Sequence, residues 1–343
     1  ILAPLRAFRK VRPEHLYVTE ADAERPGEGA FLARVLQPDI LVWLSLEEAH
    51  GIQYDTLAHA LPQSTAGEVN GPEAVKRAIA EEFGCLLART RTLSVLSRNN
   101  EYIARQAHRT KAEVLWLSRG EVTVDAVSRD AVAFSAHGER MSTPHLVPPD
   151  AGLSLLAVLR VLRHLGMDAD PQFKKLTLPP GRSSVFAGVR DTTLIDSSYN
   201  GTFDGMRAML ELFTLYPASG EKWLVLGDMI EQGESEALEH AALAPMILTA
   251  APSRVGLVGP RLLRYTRPLL VGALGQENIT SYERPDEAYA FLAKELRGGE
   301  TILFKGARYL EGIIERLLAD PSEASHLCRR EPLWTKKRKK WGV

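Results

Sequence analysis

Apolar residues along this chain come in short runs that alternate with amphipathic stretches. Aliphatic and β-branched runs predict strands at LYVTE (16–20), ILVWLS (40–45), LSVLS (93–97), VLWLS (114–118), TLIDS (193–197), WLVLGD (223–228), VGLVG (255–259) and TILFKG (301–306). Helices are predicted over 72–89, over 153–165 (LSLLAVLRVLRHL) and over 202–216. In the last of these, Met206, Met209, Leu210 and Phe213 recur at i, i+3, i+4 and i+7, the spacing of one helix face. Strand and helix in alternation imply parallel sheets covered on both faces. Between 120 and 145 the rhythm changes to EVTVDAV and AVAFSA, which predict an antiparallel edge. At LTLPPGRSS (176–184) two prolines and a glycine suit a linker, which places a domain boundary near residue 182.

Length supports that division. A chain of 343 residues exceeds one ordinary core and suits two domains. A formal net charge of -1 points to neither a nucleic acid nor an anionic membrane surface as partner. Cys85 and Cys328 are the two cysteines, too few for a disulfide framework or a thiolate metal site, which suits a reducing cytoplasm. No apolar run approaches the roughly 18 residues of a spanning helix, so no membrane insertion is expected.

In doubly wound sheets ligands sit at the carboxyl ends of strands, so polar residues that end apolar runs are the candidates for chemistry. Asp196, Asp228 and Lys305 each follow such a run in the second half. Glu20 does so in the first, and Glu47, Glu48 and His50 come shortly after ILVWLS. A carboxylate and a histidine at neighbouring strand ends can hold Mg²⁺ beside phosphates. The competing reading for each is a cap on the following helix.

Four segments in order resemble the Mur ligase family. YVTEADAERPGEGAFLARVLQPDILVWLSLEEAH is similar to its central-domain segment. LIDSSYNGTFDGM resembles "DDSYNANPDSM", the signature of the branch that adds D-alanyl-D-alanine to a UDP-muramoyl tripeptide. VLGDMIEQGESEALEH resembles "VLGDMLELGEESEELH", and TILFKGARYLEGIIERL resembles "VLVKGSRSMGLEEVVEAL". The resemblance runs from residue 16 to 318. It implies an α/β chain of two domains: an incomplete central ATP-binding domain over 1–181, then a Rossmann-like C-terminal domain over 182–320. Residues 321–343 are left as a basic tail, in which KKRKK lies between Trp334 and Trp341. Such an end is expected to be solvated.

The implied reaction is ATP-dependent amide-bond formation through an acyl phosphate, in the cytoplasm, in peptidoglycan precursor synthesis. ATP and Mg²⁺ are the implied cofactors, UDP-muramoyl peptide and D-alanyl-D-alanine the implied partners, and a monomer the expected state. By position, Glu20 and His50 match the family's metal-binding glutamate and histidine. Arg182 matches the arginine at the domain junction, near the nucleotide. Asp196 matches the first aspartate of the signature, at the ribose, while Tyr199 and Asn200 match its Tyr-Asn on the nucleotide side of the cleft. Lys305 matches the lysine of a "KGS" turn near the reaction centre. Many members carry a carbamylated lysine that helps hold a second metal. Glu82 falls at that position in IAEEFGCLL, with a charge on a shorter arm, and Lys76 is the alternative.

Several positions depart from the pattern. The chain contains no Gly-Lys dipeptide, so the G-x-x-G-K-[ST] phosphate loop is missing. In the family that loop and a UDP-binding domain lie upstream of the Glu20 segment, and the chain starts at Ile1, so further sequence before Ile1 is expected. The second signature aspartate is Ser197, "NANP" reads Asn200-Gly201-Thr202-Phe203, and "KGS" reads Lys305-Gly306-Ala307. Pro149-Asp150-Ala151-Gly152 replaces an "HN..N" whose asparagine is expected to read adenine. Two other readings stay open. One is a different ligase of the superfamily, of the folyl-polyglutamate or cyanophycin type. The other is a degenerate, non-catalytic binding protein.

Overall fold

The computed structural model describes residues 15–23, 25–46, 54 and 72–343. Three sheets organise them. In the first half, β1 (Ile40–Trp43), β2 (Leu93–Ser97) and β3 (Glu113–Leu117) form a parallel sheet in that order. Helices α1 (Glu28–Leu36), α2 (Pro72–Leu87) and the short α3 (Glu101–Gln106) accompany it. β4 (Val122–Val127), β5 (Val132–Ala136) and β6 (Glu139–Thr143) make the antiparallel sheet that the change of rhythm predicts. α4 (Ala151–His164) packs on it through Gly152, where a Cβ would stand 2.6 Å from Val122 and 2.7 Å from Phe134.

The second half is a six-stranded sheet, every strand of which lies beyond the Pro-Pro-Gly linker. It contains β7 (Ser184–Ala187), β8 (Thr193–Ser197), β9 (Lys222–Gly227), β10 (Arg254–Val258), β11 (Ile279–Tyr282) and β12 (Thr301–Lys305). Their order is β11-β10-β9-β12-β8-β7, parallel except for β7. The crossovers carry α5 (Phe203–Leu215), α6 (Glu236–Thr249), α7 (Arg267–Leu274) and α8 (Pro285–Glu295), and α9 (Leu310–Leu317) follows β12. β12 returns across the sheet to fill the gap between β8 and β9. The winding reverses there, so the carboxyl ends of β8, β12 and β9 become neighbours.

The period of two in each central strand feeds two cores. Ile195, Leu224, Leu226, Val255, Leu257 and Leu303 face α5 to α7, in a core that continues into the antiparallel sheet and α4. Leu194, Trp223, Val225, Val258, Ile302 and Phe304 face α8 and α9 on the other side. α5 follows its sequence pattern: Met206, Met209, Leu210 and Phe213 are all buried, and the Thr202 hydroxyl accepts the Gly205 N–H at 3.2 Å as N-cap.

Two expectations are corrected. LYVTE is not a strand: residues 16–20 are irregular, and Leu16, Tyr17 and Val18 are exposed. Alternation builds a strand only where a neighbouring edge accepts its backbone, and no described strand pairs with this one. The basic tail is not merely solvated. Residues 321–326 form a 3₁₀ turn and Pro332–Lys340 form α10. Arg338, in the middle of KKRKK, is buried, bonds the Arg329 carbonyl at 2.6 Å, and faces the buried Glu311 carboxylate at 3.7 Å. A fixed acceptor and a buried counter-charge turn one residue of a basic run into an anchor, which composition does not reveal.

Candidate functional site

The carboxyl ends of β8, β12 and β9 gather five residues singled out from the sequence: Asp196, Tyr199, Asn200, Asp228 and Lys305. Asp196 is wholly buried, and its Oδ1 accepts the Ser198 N–H at 2.9 Å, which turns the chain sharply out of the strand. Oδ2 has no hydrogen-bond partner among the described residues. Burial pushes this carboxyl above the usual carboxylate range, against the pull of Ser198, Arg329 and Arg330. The side chain therefore holds the turn and shows no oxygen to solvent.

Beyond that turn the loop opens outward. Tyr199 is 44% exposed, and the Arg182 guanidinium stacks over its ring at 4.6 Å. The Tyr199 N–H donates to Gly181 O at 3.3 Å, so the Pro-Pro-Gly segment and the loop are tied together. Lys305 is buried, and its Nζ donates to both the carbonyl (2.8 Å) and the side-chain oxygen (3.2 Å) of Asn200. Stacking joins Arg182 to Tyr199, and hydrogen bonds join its neighbour Asn200 to Lys305, so the four residues form one connected cluster.

Asp228 anchors the far side. Its Oδ1 accepts the N–H groups of Arg261 (3.2 Å) and Leu262 (3.0 Å), and its Oδ2 accepts Arg308 Nε (3.1 Å) and Nη2 (2.7 Å). Gly259, at φ +120°, is required beside it, because a Cβ there would lie 2.4 Å from the Asp228 carboxyl carbon. Close by, the His240 Nδ1–H donates to Glu236 O at 2.7 Å while Nε2 accepts the Met229 N–H at 3.2 Å. Both ring nitrogens are used in the neutral form, and burial lowers the imidazole pKa.

Glu20 is exposed and irregular, and His50 lies outside the described residues. Among the described residues, no three His, Cys, Asp or Glu side chains come together to hold a metal. Glu82 uses both carboxylate oxygens at the N-terminus of α1, accepting the N–H groups of Gly27 (2.8 Å) and Gly29 (2.9 Å). An anion there satisfies donors the helix leaves open and complements its dipole. Lys76 lies on α2 with Glu82.

At the expected adenine-reading position the structure holds an ion-pair ring. Asp150 pairs with Arg119 (2.9 Å) and with Arg207 of α5 (2.8 Å), while Glu211 of α5 meets Arg119 at 2.5 Å and Arg207 at 3.7 Å. Asp150 is thereby occupied in joining the two halves. Sequence reasoning missed Arg308, Arg329 and Glu311, whose partners are remote in sequence, and a lone arginine carries no periodic signal.

Comparison with known proteins follows the same lines. A model of the family described as "Mur ligase, glutamate ligase domain" matches residues 181–308. The UDP-N-acetylmuramoyl-tripeptide--D-alanyl-D-alanine ligases of Mycobacterium bovis and Mycobacterium tuberculosis (strain H37Rv) are each 26% identical over 349 aligned positions. The alignment takes in 92% of this chain and 65% of the relative, so the chain spans about two thirds of the length of the curated relatives it matches. Among solved structures, a MurF ligase from Thermotoga maritima in complex with ADP superposes with a TM-score of 0.68 at 19% identity, over 87% of this chain and 65% of that one. MurF from Acinetobacter baumannii gives 0.69 at 18%, over 90% and 66%. These two likenesses speak for the fold. The match to the Mur ligase domain is thus confined to residues 181–308, and along 92% of its length the chain is similar, at 26% identity, to ligases of that kind.

Proposed function

We propose that this chain is the greater part of an ATP-dependent ligase that adds D-alanyl-D-alanine to a UDP-N-acetylmuramoyl tripeptide, acting in the cytoplasm. The observation that carries the reading is the connected cluster of Arg182, Tyr199, Asn200 and Lys305 at the sheet's carboxyl edge, in a chain whose curated relatives bear that name. In the proposed reaction an oxygen of the tripeptide carboxylate attacks the γ-phosphorus of ATP and ADP leaves. The amine nitrogen of D-alanyl-D-alanine then attacks the acyl carbon, and phosphate departs with the oxygen that bridged it.

The residues supply positioning and charge. Tyr199 offers a half-exposed ring to a nucleotide, and Arg182 above it brings a fixed positive charge to the domain junction. Lys305, held by both oxygens of Asn200, keeps a cation in one place, and a fixed cation offsets charge on phosphate oxygens at little reorganisation cost. Residues 1–343 contain no Gly-Lys phosphate loop, and in this reading they do not complete the reaction by themselves.

The test combines binding with turnover. The chain is titrated with ADP and ATP, then incubated with ATP, the UDP-muramoyl tripeptide and radiolabelled D-alanyl-D-alanine. Nucleotide binding that Tyr199→Ala and Lys305→Ala weaken, with no ligated product, is the expected result. Measurable ligation by residues 1–343 would refute their predicted inactivity. The Asp150 ion-pair ring favours a second reading, a degenerate binding protein, and failure to bind either nucleotide would select it.

A further inference from the structure

The loop that carries Tyr199 and Asn200 is held from three sides. The linker holds the Tyr199 N–H through Gly181 O, and Lys305 holds both oxygens of Asn200. The third side is the C-terminal segment. Arg329 Nη1 donates to Ser198 O at 3.2 Å, and Nη2 donates to Tyr199 O. The same guanidinium lies 5.5 Å from the centre of the Tyr199 ring and 5.2 Å from that of Trp334 on α10. Arg182 and Arg329 thus both stack on Tyr199, one from the linker and one from the C-terminal segment.

The arginine is itself built in. Its Nη1 faces the fully buried Glu311 Oε2 at 3.3 Å. Its backbone sits at φ +55°, a left-handed conformation a non-glycine residue adopts only when its surroundings impose it. Here the imposing contact is the buried Arg338, which bonds the Arg329 carbonyl at 2.6 Å. Farther along, Trp341 rests near Tyr309 at 6.2 Å, and Val343 packs on Gly312, where a Cβ would come within 2.7 Å of it. The segment is fixed along its length, with Arg329 as the group it delivers.

We propose that Arg329 is a positioning residue of the nucleotide surface, and that residues 327–343 act as a clamp holding the loop 198–201 in its binding conformation. The physical reason is an accounting of backbone groups. Without Arg329 the carbonyls of Ser198 and Tyr199 lose the two-pronged donor that fixes them. The clamp itself rests on geometry alone. Its link to nucleotide binding rests on the function proposed above.

The experiment follows amide hydrogen exchange at residues 198–201 in the full chain, alongside ADP titration, for wild type, Arg329→Ala and Arg329→Lys. Exchange at the loop is expected to rise at least about tenfold in Arg329→Ala, the factor a charge-assisted hydrogen bond is worth, while amides within β8 and β12 keep their rates. ADP affinity is expected to weaken by a similar factor. Arg329→Lys, a point donor on the same stem, should fall between, and it gives the same readout if the alanine variant does not fold. Unchanged loop exchange, or an equal rise within β8, would overturn the clamp. A loosened loop with unchanged ADP affinity would overturn the positioning role. Absence of ADP binding in the wild type would sink the nucleotide reading, and the exchange rates would still decide the clamp.

Discussion

Replacing Asp228 tests whether one buried carboxylate holds the far wall of the site together. It is fully buried and takes four hydrogen bonds: two from the backbone of Arg261 and Leu262, and two from the Arg308 guanidinium. Arg308 and Tyr309 both sit at positive φ, +78° and +59°, so the turn after β12 holds a conformation that costs about 1–3 kcal/mol per residue unless it is anchored. Asp228→Ala removes that anchor and leaves a guanidinium that is only about a quarter exposed facing a cavity. Breaking a buried pair from one side costs about 3–5 kcal/mol. The lower end applies here, because Arg308 can turn towards water and Arg261 keeps Glu236 at 2.5 Å. Asp228→Asn retains one acceptor for the two backbone donors and sets an amide against Arg308, for a loss of about 1.5–3 kcal/mol. The assay is urea unfolding followed by circular dichroism, read as a midpoint shift at constant slope. Arg308→Met completes a double-mutant cycle, with an expected coupling of at least about 1 kcal/mol. Asp228→Ala within about 1 kcal/mol of wild type, or a coupling near zero, would refute the anchoring argument.

The buried acids and thiols give two further predictions. The Asp196 carboxyl is raised by burial, so its favourable contribution is complete below the ordinary aspartate value of about 3.9 and is lost as pH rises through the raised folded value. Asp196→Asn cannot titrate. The variant should therefore gain on wild type across that window in urea unfolding from pH 4 to 8, and a difference that does not change with pH would exclude the effect. Burial, with the charges of Asp196 and Glu311 behind it, raises the Cys328 thiol to about 11, so roughly one part in a thousand is thiolate at pH 8. A thiol reagent should label the half-buried Cys85 first and reach Cys328 only on unfolding, and equal labelling rates by mass spectrometry would contradict the buried environment.

The periodicity determined most of the architecture. Alternating apolar residues in TLIDS, WLVLGD, VGLVG and TILFKG could be buried on both faces only by helices on both sides, and the 3.6-residue spacing of Met206, Met209, Leu210 and Phe213 could face only one way. Local chemistry also placed Asp196, Asp228 and Lys305 at strand ends, because an apolar run that stops at a polar residue reports where the sheet stops, while Tyr199 and Asn200 were legible through the family resemblance. What the pattern could not carry were contacts between residues far apart in the chain. Arg329 meets Ser198 across 131 positions, and Asp228 meets Arg308 across 80. Asp150 was legible as a departure from the family, yet its pairing with Arg119 and Arg207 exists only once two halves of the chain touch. The resemblance placed Glu82 beside a metal, and in the fold its two oxygens accept the Gly27 and Gly29 N–H groups at the start of α1. The opposite failure is LYVTE, whose alternation needs a neighbouring edge before it becomes a strand. Periodicity is a local property of the chain and sets which face is buried. Charge pairing depends on distance in space, so the fold alone decided which carboxylate, guanidinium and carbonyl became partners.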